Sequence, residues 1–232
     1  MMLSDKEIIS LAKNHNLIEP FLPTNCEGAS VDLTLDKQVK KYISKNEIIL
    51  GGKIDPSEYI DVDISEEKFF LEPNESVLVQ THEKFNIPDD MTAQVNERYG
   101  VKLTGLSISQ ASYMNPGYEG RLSFVAVNNN SVRIQLVPGI KFCQVVFFKL
   151  TSPALRPYPK QKNPAYLGSK EVNTSKLHLD SEIQEFLKDN GISNVSSSTA
   201  KDLGNYLMEH IKSAAQEIAA TLKKENKLPS NE

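Results

Sequence analysis

The stretch Gly120-Arg121-Leu122-Ser123-Phe124-Val125-Ala126-Val127-Asn128-Asn129-Asn130-Ser131-Val132-Arg133-Ile134-Gln135-Leu136-Val137-Pro138-Gly139-Ile140-Lys141-Phe142-Cys143-Gln144-Val145-Val146-Phe147-Phe148 decides the fold class. Leu122, Phe124 and Ala126 alternate with Ser123, Val125 and Val127, and Val132, Ile134 and Leu136 alternate with Arg133 and Gln135. A period of two puts neighbouring side chains on opposite faces of a strand. Residues 142–148, interrupted only by Gln144, form an apolar run that reads as a strand. Asn128-Asn129-Asn130 and Pro138-Gly139 supply the turns between these runs.

The same pattern extends upstream. Val31, Leu33 and Leu35 alternate with Asp32, Thr34 and Asp36, and Val77 and Val79 alternate with Leu78 and Gln80. Gly51-Gly52, Glu72-Pro73-Asn74, Ile87-Pro88-Asp89 and Asn115-Pro116-Gly117 punctuate the chain. Short strands at regular spacing predict a mainly β fold, a distorted β-barrel or jelly roll. Long helices are missing between the strands, which argues against a parallel α/β sheet. Ser4 and Glu7 predict a capping box opening a short N-terminal helix that stops at residues 14–16. Leu17-Ile18-Glu19-Pro20-Phe21 reads as extended chain entering a turn.

Beyond the strands the character changes twice. Prolines 153, 157, 159 and 164 predict an extended arm over 151–180 that lies on something else. Residues 181–232 predict a helical extension, so the expected division is a β domain over 1–180, arm included, and helices over 181–232. Ile183, Phe186 and Leu187 predict a short amphipathic helix ending at Asn190-Gly191. Thr199 with Asp202 predicts the cap of a longer helix carrying Leu203, Leu207, Ile211, Ala214, Ile218 and Leu222 on one face. Two readings stand for that face: packing on its own domain, or association with another protein or copy through 199–226.

Composition narrows the function. The chain has 232 residues, 26 Lys+Arg against 30 Asp+Glu, and a net charge of −4. Such a balance argues against a nucleic-acid binder, which needs a basic excess. Cys26 and Cys143 are the only cysteines, no Cys-x-x-Cys occurs, and the four histidines are scattered, which excludes a cysteine zinc site and a disulfide framework. Two cysteines in a long chain fit a reducing cytoplasm. The N-terminus lacks the apolar core of a signal peptide, and no run of about 18 apolar residues exists to span a membrane.

Several segments, in order and at matching spacing over residues 2–180, resemble the dCTP deaminase and dUTPase superfamily, the deaminase branch most closely. They are Met2-Leu3-Ser4-Asp5-Lys6-Glu7-Ile8, Leu17-Ile18-Glu19-Pro20-Phe21, and Ala29-Ser30-Val31-Asp32-Leu33-Thr34-Leu35, where the following family glycine is Asp36. Phe70-Leu71-Glu72-Pro73, Thr81-His82-Glu83 and Ile87-Pro88 follow. Asn115-Pro116-Gly117-Tyr118-Glu119-Gly120 resembles the family "D-P-G-[FYW]-x-G" turn, and Pro138-Gly139-Ile140-Lys141-Phe142-Cys143-Gln144 its "P-G-M-x-I-G-Q" segment. Tyr166-Leu167-Gly168-Ser169-Lys170 and Ser175-Lys176 echo its tail. The resemblance implies a homotrimer with deoxynucleoside triphosphate sites between subunits, a tail closing over the ligand, a magnesium ion travelling with the phosphates, and no zinc.

The resemblance also implies which residues should do the chemistry. Zinc-free deamination needs a general base to take a proton from water and pass it to the leaving ammonia. The deaminase branch places a glutamate within "G-x-x-x-L-E-x-x-N"; the matching stretch is residues 120–128, and the glutamate position is Val125. The diphosphatase branch uses the aspartate of the "D-P-G" turn, and that position is Asn115, an amide that hydrogen-bonds but accepts no proton at neutral pH. In the "R-S-S-x-x-R-x-G-L" region, anchoring on Gly105-Leu106 places Arg98 at the first arginine, Leu103 at the second and Lys102 beside it. Anchoring on Asn115 places Glu97 there instead. Glu97 is the one nearby carboxylate to which a compensating role could fall, with Glu119 the next.

The binding candidates are Arg98 and Lys102 for phosphates, Gln110-Ala111 at the family "T-A" turn, Asn115 and Tyr118, Gln144 on the strand after Pro138-Gly139, and Tyr166 and Lys170 in the tail. Two classes of function follow. One is an enzyme of pyrimidine deoxynucleotide metabolism, a dCTP deaminase or dUTP diphosphatase. The other is a catalytically silent relative that binds a nucleotide or acts as an assembly module through its helical tail.

Overall fold

A computed structural model describes residues 1–109, 112–192 and 197–225. Strands run β1 Ile18–Glu19, β2 Cys26–Glu27, β3 Ser30–Thr34, β4 Gln38–Tyr42, β5 Tyr59–Asp63, β6 Phe69–Leu71 and β7 Ser76–Asn86. They continue with β8 Met91–Glu97, β9 Leu106–Ile108, β10 Ser112–Met114, β11 Glu119–Asn128, β12 Ile134–Leu136 and β13 Lys141–Lys149. Four α-helices accompany them: α1 Asp5–His15, α2 Tyr99–Lys102, α3 Ser181–Asp189 and α4 Ser197–Glu225. The chain divides into two compact units, Met1–Ser44 with Asp55–Ser175, and Lys45–Ile54 with Lys176–Glu232.

The first unit is mainly antiparallel β, as the period-two patterning predicts. One sheet has the order β5-β4-β7-β11-β9, with β1 on the far end of β7; the other has the order β10-β8-β13-β3-β2, and β12 pairs with β6. The sheets share one apolar core. Val31 and Leu33 of β3, Val77 and Val79 of β7, Phe124 and Ala126 of β11, and Val145 and Phe147 of β13 all point into it. The predicted run over 142–148 is β13, flanked by β8 and β3 on its two sides.

Helix α1 begins as predicted. Glu7 accepts from the Ser4 N–H at 2.9 Å, the capping box is complete, and Asn16 ends the helix in the left-handed region at φ 50°. Ile8 and Ala12 are its buried face.

Gln80 departs from expectation. A residue of the outward row should be partly exposed, yet it is 1% exposed and its Oε1 has no hydrogen-bond partner. Two causes are visible: β7 and β11 shift register between Arg121 and Ser123, and the arm crosses the face there. Asn173 N–H donates to Ser123 Oγ at 2.9 Å, and Ser123 is the register partner of Gln80. The arm therefore lies on β11 of its own chain. Ser169 forms a parallel bridge to Gly120, Arg121 N–H donates to Ser169 O at 2.8 Å, and Val172 is buried. Gly120 is required by this contact, since a Cβ there would meet Ser169 N at 2.8 Å.

In the second unit α3 is capped by Asp180, which accepts from the Glu182 and Ile183 N–H groups, and it ends at Asn190-Gly191 as predicted. Leu187 is buried and Gly51 packs beneath it, with Gln184 Nε2 donating to Gly51 O at 2.8 Å. Helix α4 begins at Ser197, so Thr199 lies inside it rather than capping it. Among the described residues no helix is long and apolar enough to cross a membrane.

Candidate functional site

The turn after β10 positions the first group of site residues. Tyr118 N–H donates to Asn115 O at 3.0 Å, closing Asn115-Pro116-Gly117-Tyr118. Gly117 takes φ 78°, and a Cβ there would meet Pro159 Cδ at 2.9 Å and Asp89 Oδ1 at 3.0 Å, so only glycine fits. Tyr118 is buried, and its hydroxyl donates to Arg121 O at 2.7 Å. Burial, with Tyr158 adding to it, holds the Tyr118 phenol far above its ordinary value, so it donates a hydrogen bond and does not ionise. The Tyr118 and Tyr158 rings lie 5.6 Å apart, and the Tyr158 hydroxyl accepts from Tyr166 N–H at 3.1 Å.

These groups line a cavity of about 430 Å³ together with Val125 and the arm residues Asn173, Thr174 and Ser175. Asn115, Tyr118 and Tyr166, predicted from distant segments, are thus brought together with Val125. Val125 is 37% exposed on the outward row of β11, opposite Leu78. Its backbone is fully engaged: its N–H donates to Ser109 Oγ at 3.0 Å, and its carbonyl accepts from Ser109 N–H at 2.8 Å. No Asp or Glu among the described residues lines this cavity.

Arg121 is the cavity's cation, and sequence reasoning missed it together with Tyr158, Ser123 and Asn173. Its Nη1 lies 3.2 Å from Asp36 Oδ2 and donates to Lys170 O at 3.4 Å. Asp36 is 5% exposed, accepts from Gln38 N–H at 2.9 Å, and has His82 Nδ1 at 3.5 Å. The replacement of the family glycine by Asp36 was the available signal, because a buried carboxylate requires a partner.

The remaining candidates lie elsewhere. Arg98 and Gln144 line a second, more apolar cavity of about 620 Å³. Arg98 is the N-cap residue of α2, and its Nε pairs with Asp32 Oδ1 at 3.1 Å, while Lys141 Nζ lies 3.3 Å from Asp32 Oδ2. Lys102 and Lys170 are exposed and line neither of these two cavities. Gln110 and Ala111 lie outside the described residues. Glu97 is committed to structure: its Oε1 accepts from Ile108 N–H at 2.5 Å. Glu119 pairs with Lys84 at 2.5 Å. Asn128 is the fully buried last residue of β11, and its Nδ2 donates to Leu71 O and Val132 O.

The sequence model of the dCTP deaminase-like family matches residues 2–150. The chain belongs to that family. A dUMP-forming dCTP deaminase of Dictyoglomus turgidum is 34% identical over 194 residues, covering 80% of this chain and 99% of the relative. The enzyme of the same description from Dictyoglomus thermophilum is 32% identical, covering 78% and 96%. A 2′-deoxycytidine 5′-triphosphate deaminase from Agrobacterium tumefaciens shares the fold, with a TM-score of 0.51 at 21% identity over 63% of this chain; the match spans about half of that chain, 48%. This dCTP deaminase family member is therefore one of a family in deoxynucleotide metabolism, and a fifth of it extends beyond the match to its Dictyoglomus turgidum relative.

Proposed function

We propose that this family member binds a pyrimidine deoxynucleoside triphosphate in the Asn115 cavity and does not deaminate it. The supporting observation is the absence of a carboxylate among the described lining residues, with Val125 at the family's glutamate position. Deamination needs a group that takes a proton from water. Asn115 is an amide, Tyr118 stays a phenol, and the serines Ser109 and Ser123 are engaged in backbone hydrogen bonds. These groups hold a ligand and orient it; none of them removes a proton. The volume suits a small polar ligand, since such pockets measure about 300–1,000 Å³.

In this reading Asn115 hydrogen-bonds a sugar hydroxyl, and the Tyr118–Tyr158 pair walls the sugar and base. Arg98, Lys102, Gln144 and Lys170 are the groups that contact the phosphates in this reading. Arg98 and Gln144 line a different cavity of the same chain, and in this reading a neighbouring subunit of a homotrimer brings its own copies of them to the ligand. Among the described residues no three His, Cys, Asp or Glu gather as a metal site. In this reading a magnesium ion is carried by the triphosphate, where it neutralises phosphate charge. The protein is cytoplasmic in this reading.

A second reading, an assembly module acting through its tail, is favoured by the exposure of α4 over residues 204–219. Thermal melts with dCTP, dUTP and magnesium separate the two. A ligand at 100 times its Kd stabilises the native state by about 2.7 kcal/mol, so binding raises the Tm with concentration. No shift with any pyrimidine nucleotide leaves the assembly reading.

A further inference from the structure

Helix α4 is one uninterrupted helix of 29 residues, and Leu207, Ile211 and Ile218 on it are 51%, 62% and 62% exposed. Its apolar positions recur at an interval of eleven: Leu203 with Ala214, Leu207 with Ile218, and Ile211 with Leu222, while Ala200 precedes Ile211 by the same step. An interval of eleven gives about 3.67 residues per turn, which keeps the stripe nearly parallel to a straight helix axis instead of letting it wind around it. The charged residues Lys201, Asp202, Glu209, Lys212, Glu217, Lys223 and Lys224 fall outside this stripe; Glu225, eleven residues after Ala214, falls on it at the last residue of the helix, so the stripe is uncharged from residue 200 to 222.

The borders of the stripe differ, and the difference identifies the occupant. One border carries Gly204 and Ala215; the other carries Thr199, His210 and Thr221, again at steps of eleven. In parallel helices of identical sequence, the border on one side of a seam meets the opposite border of the next helix. The small Gly204 and Ala215 then make room for His210 and Thr221. Antiparallel copies would set His210 and Thr221 against their own kind. A partner must also repeat its apolar residues at the same interval, which a second copy does by identity.

We infer that α4 associates with α4 of further copies of this chain in a parallel, in-register bundle, straight or slightly right-handed. This does not depend on what occupies the Asn115 cavity. The two cysteines of the chain are buried, so an introduced thiol reports cleanly. In the full-length protein, Ile218→Cys should cross-link to a species of twice the chain mass under mild copper-phenanthroline oxidation, and Lys212→Cys, on the charged side, should not. Ile211→Asp with Ile218→Asp should reduce the helical ellipticity at 222 nm, because a lone helix of this kind is marginal in water, and should leave the melting of the β unit unchanged. Absence of cross-linking at residue 218, equal cross-linking at 218 and 212, or unaltered ellipticity in the double variant would overturn the inference.

Discussion

Replacing Arg121 by alanine should destabilise the β unit more than replacing its partner Asp36. The guanidinium lies 3.2 Å from Asp36 Oδ2, and the side chains are 30% and 5% exposed. Removing the arginine leaves a carboxylate that cannot reach water, whereas removing the aspartate leaves an arginine that can, and that still reaches Lys170 O. Losing one partner of a fully buried pair costs about 3–5 kcal/mol. Asp36 keeps the Gln38 N–H and has His82 nearby, and Arg121 is partly solvated, which reduces the expected cost to about 2 kcal/mol. For a chain of this size about 1 kcal/mol shifts the Tm by ~2–4 °C, so Arg121→Ala should lower it by ~4–8 °C. Asp36→Ala should cost about half as much, and the double variant less than the sum, with a coupling of about 1 kcal/mol. Urea unfolding of the four proteins followed by tyrosine fluorescence measures this cycle. Equal losses in the two single variants with strict additivity would refute the assignment of Asp36 and Arg121 as mutually dependent.

Two further outcomes follow from single residues. Val125→Glu introduces the carboxylate that the cavity lacks, and a general base contributes about 100- to 10,000-fold; dCTP turnover should rise above that of the parent by at least the lower figure, and an unchanged rate would place the lesion elsewhere in the cavity. Hydrogen bonds from Lys37, and then from the Ser65 hydroxyl and N–H, hold Asp63 down from its ordinary 3.8 to about 2. A lowered carboxylate value means stability that is present above pH ~4 and lost as the pH falls through ~2. Asp63→Asn should therefore lower stability modestly at pH 7, leave it nearly unchanged below pH ~2, and so flatten the acid limb between the two; an unchanged acid limb would contradict the assignment.

The antiparallel sheets were legible because period-two alternation is a direct consequence of pleating, and the runs around 31, 77, 122 and 142 all became strands. Gln80 was misplaced because its burial comes from an arm some ninety residues later in the chain, an effect that no local pattern encodes. The same holds for Gly51-Gly52, which reads as a turn and also forms the surface under Leu187 of α3. Of the candidate site, Asn115, Tyr118 and Tyr166 were legible through the family resemblance, since they stand at matching spacings. Arg121 was not, because its role rests on Asp36 and Lys170, residues far from it in sequence. Glu97 drew attention as a lone carboxylate, and the structure occupies it with the backbone of Ile108.

In the proposed function, a deaminase-family cavity without a carboxylate holds a nucleotide and leaves it intact. Incubation of the purified full-length chain with dCTP and magnesium, followed by assay of dUTP, dUMP and ammonia, tests this most directly. Nucleotide-dependent thermal stabilisation is expected, with no product above the uncatalysed background. Release of ammonia at an ordinary enzymatic rate, about 1 per second or more, would contradict it.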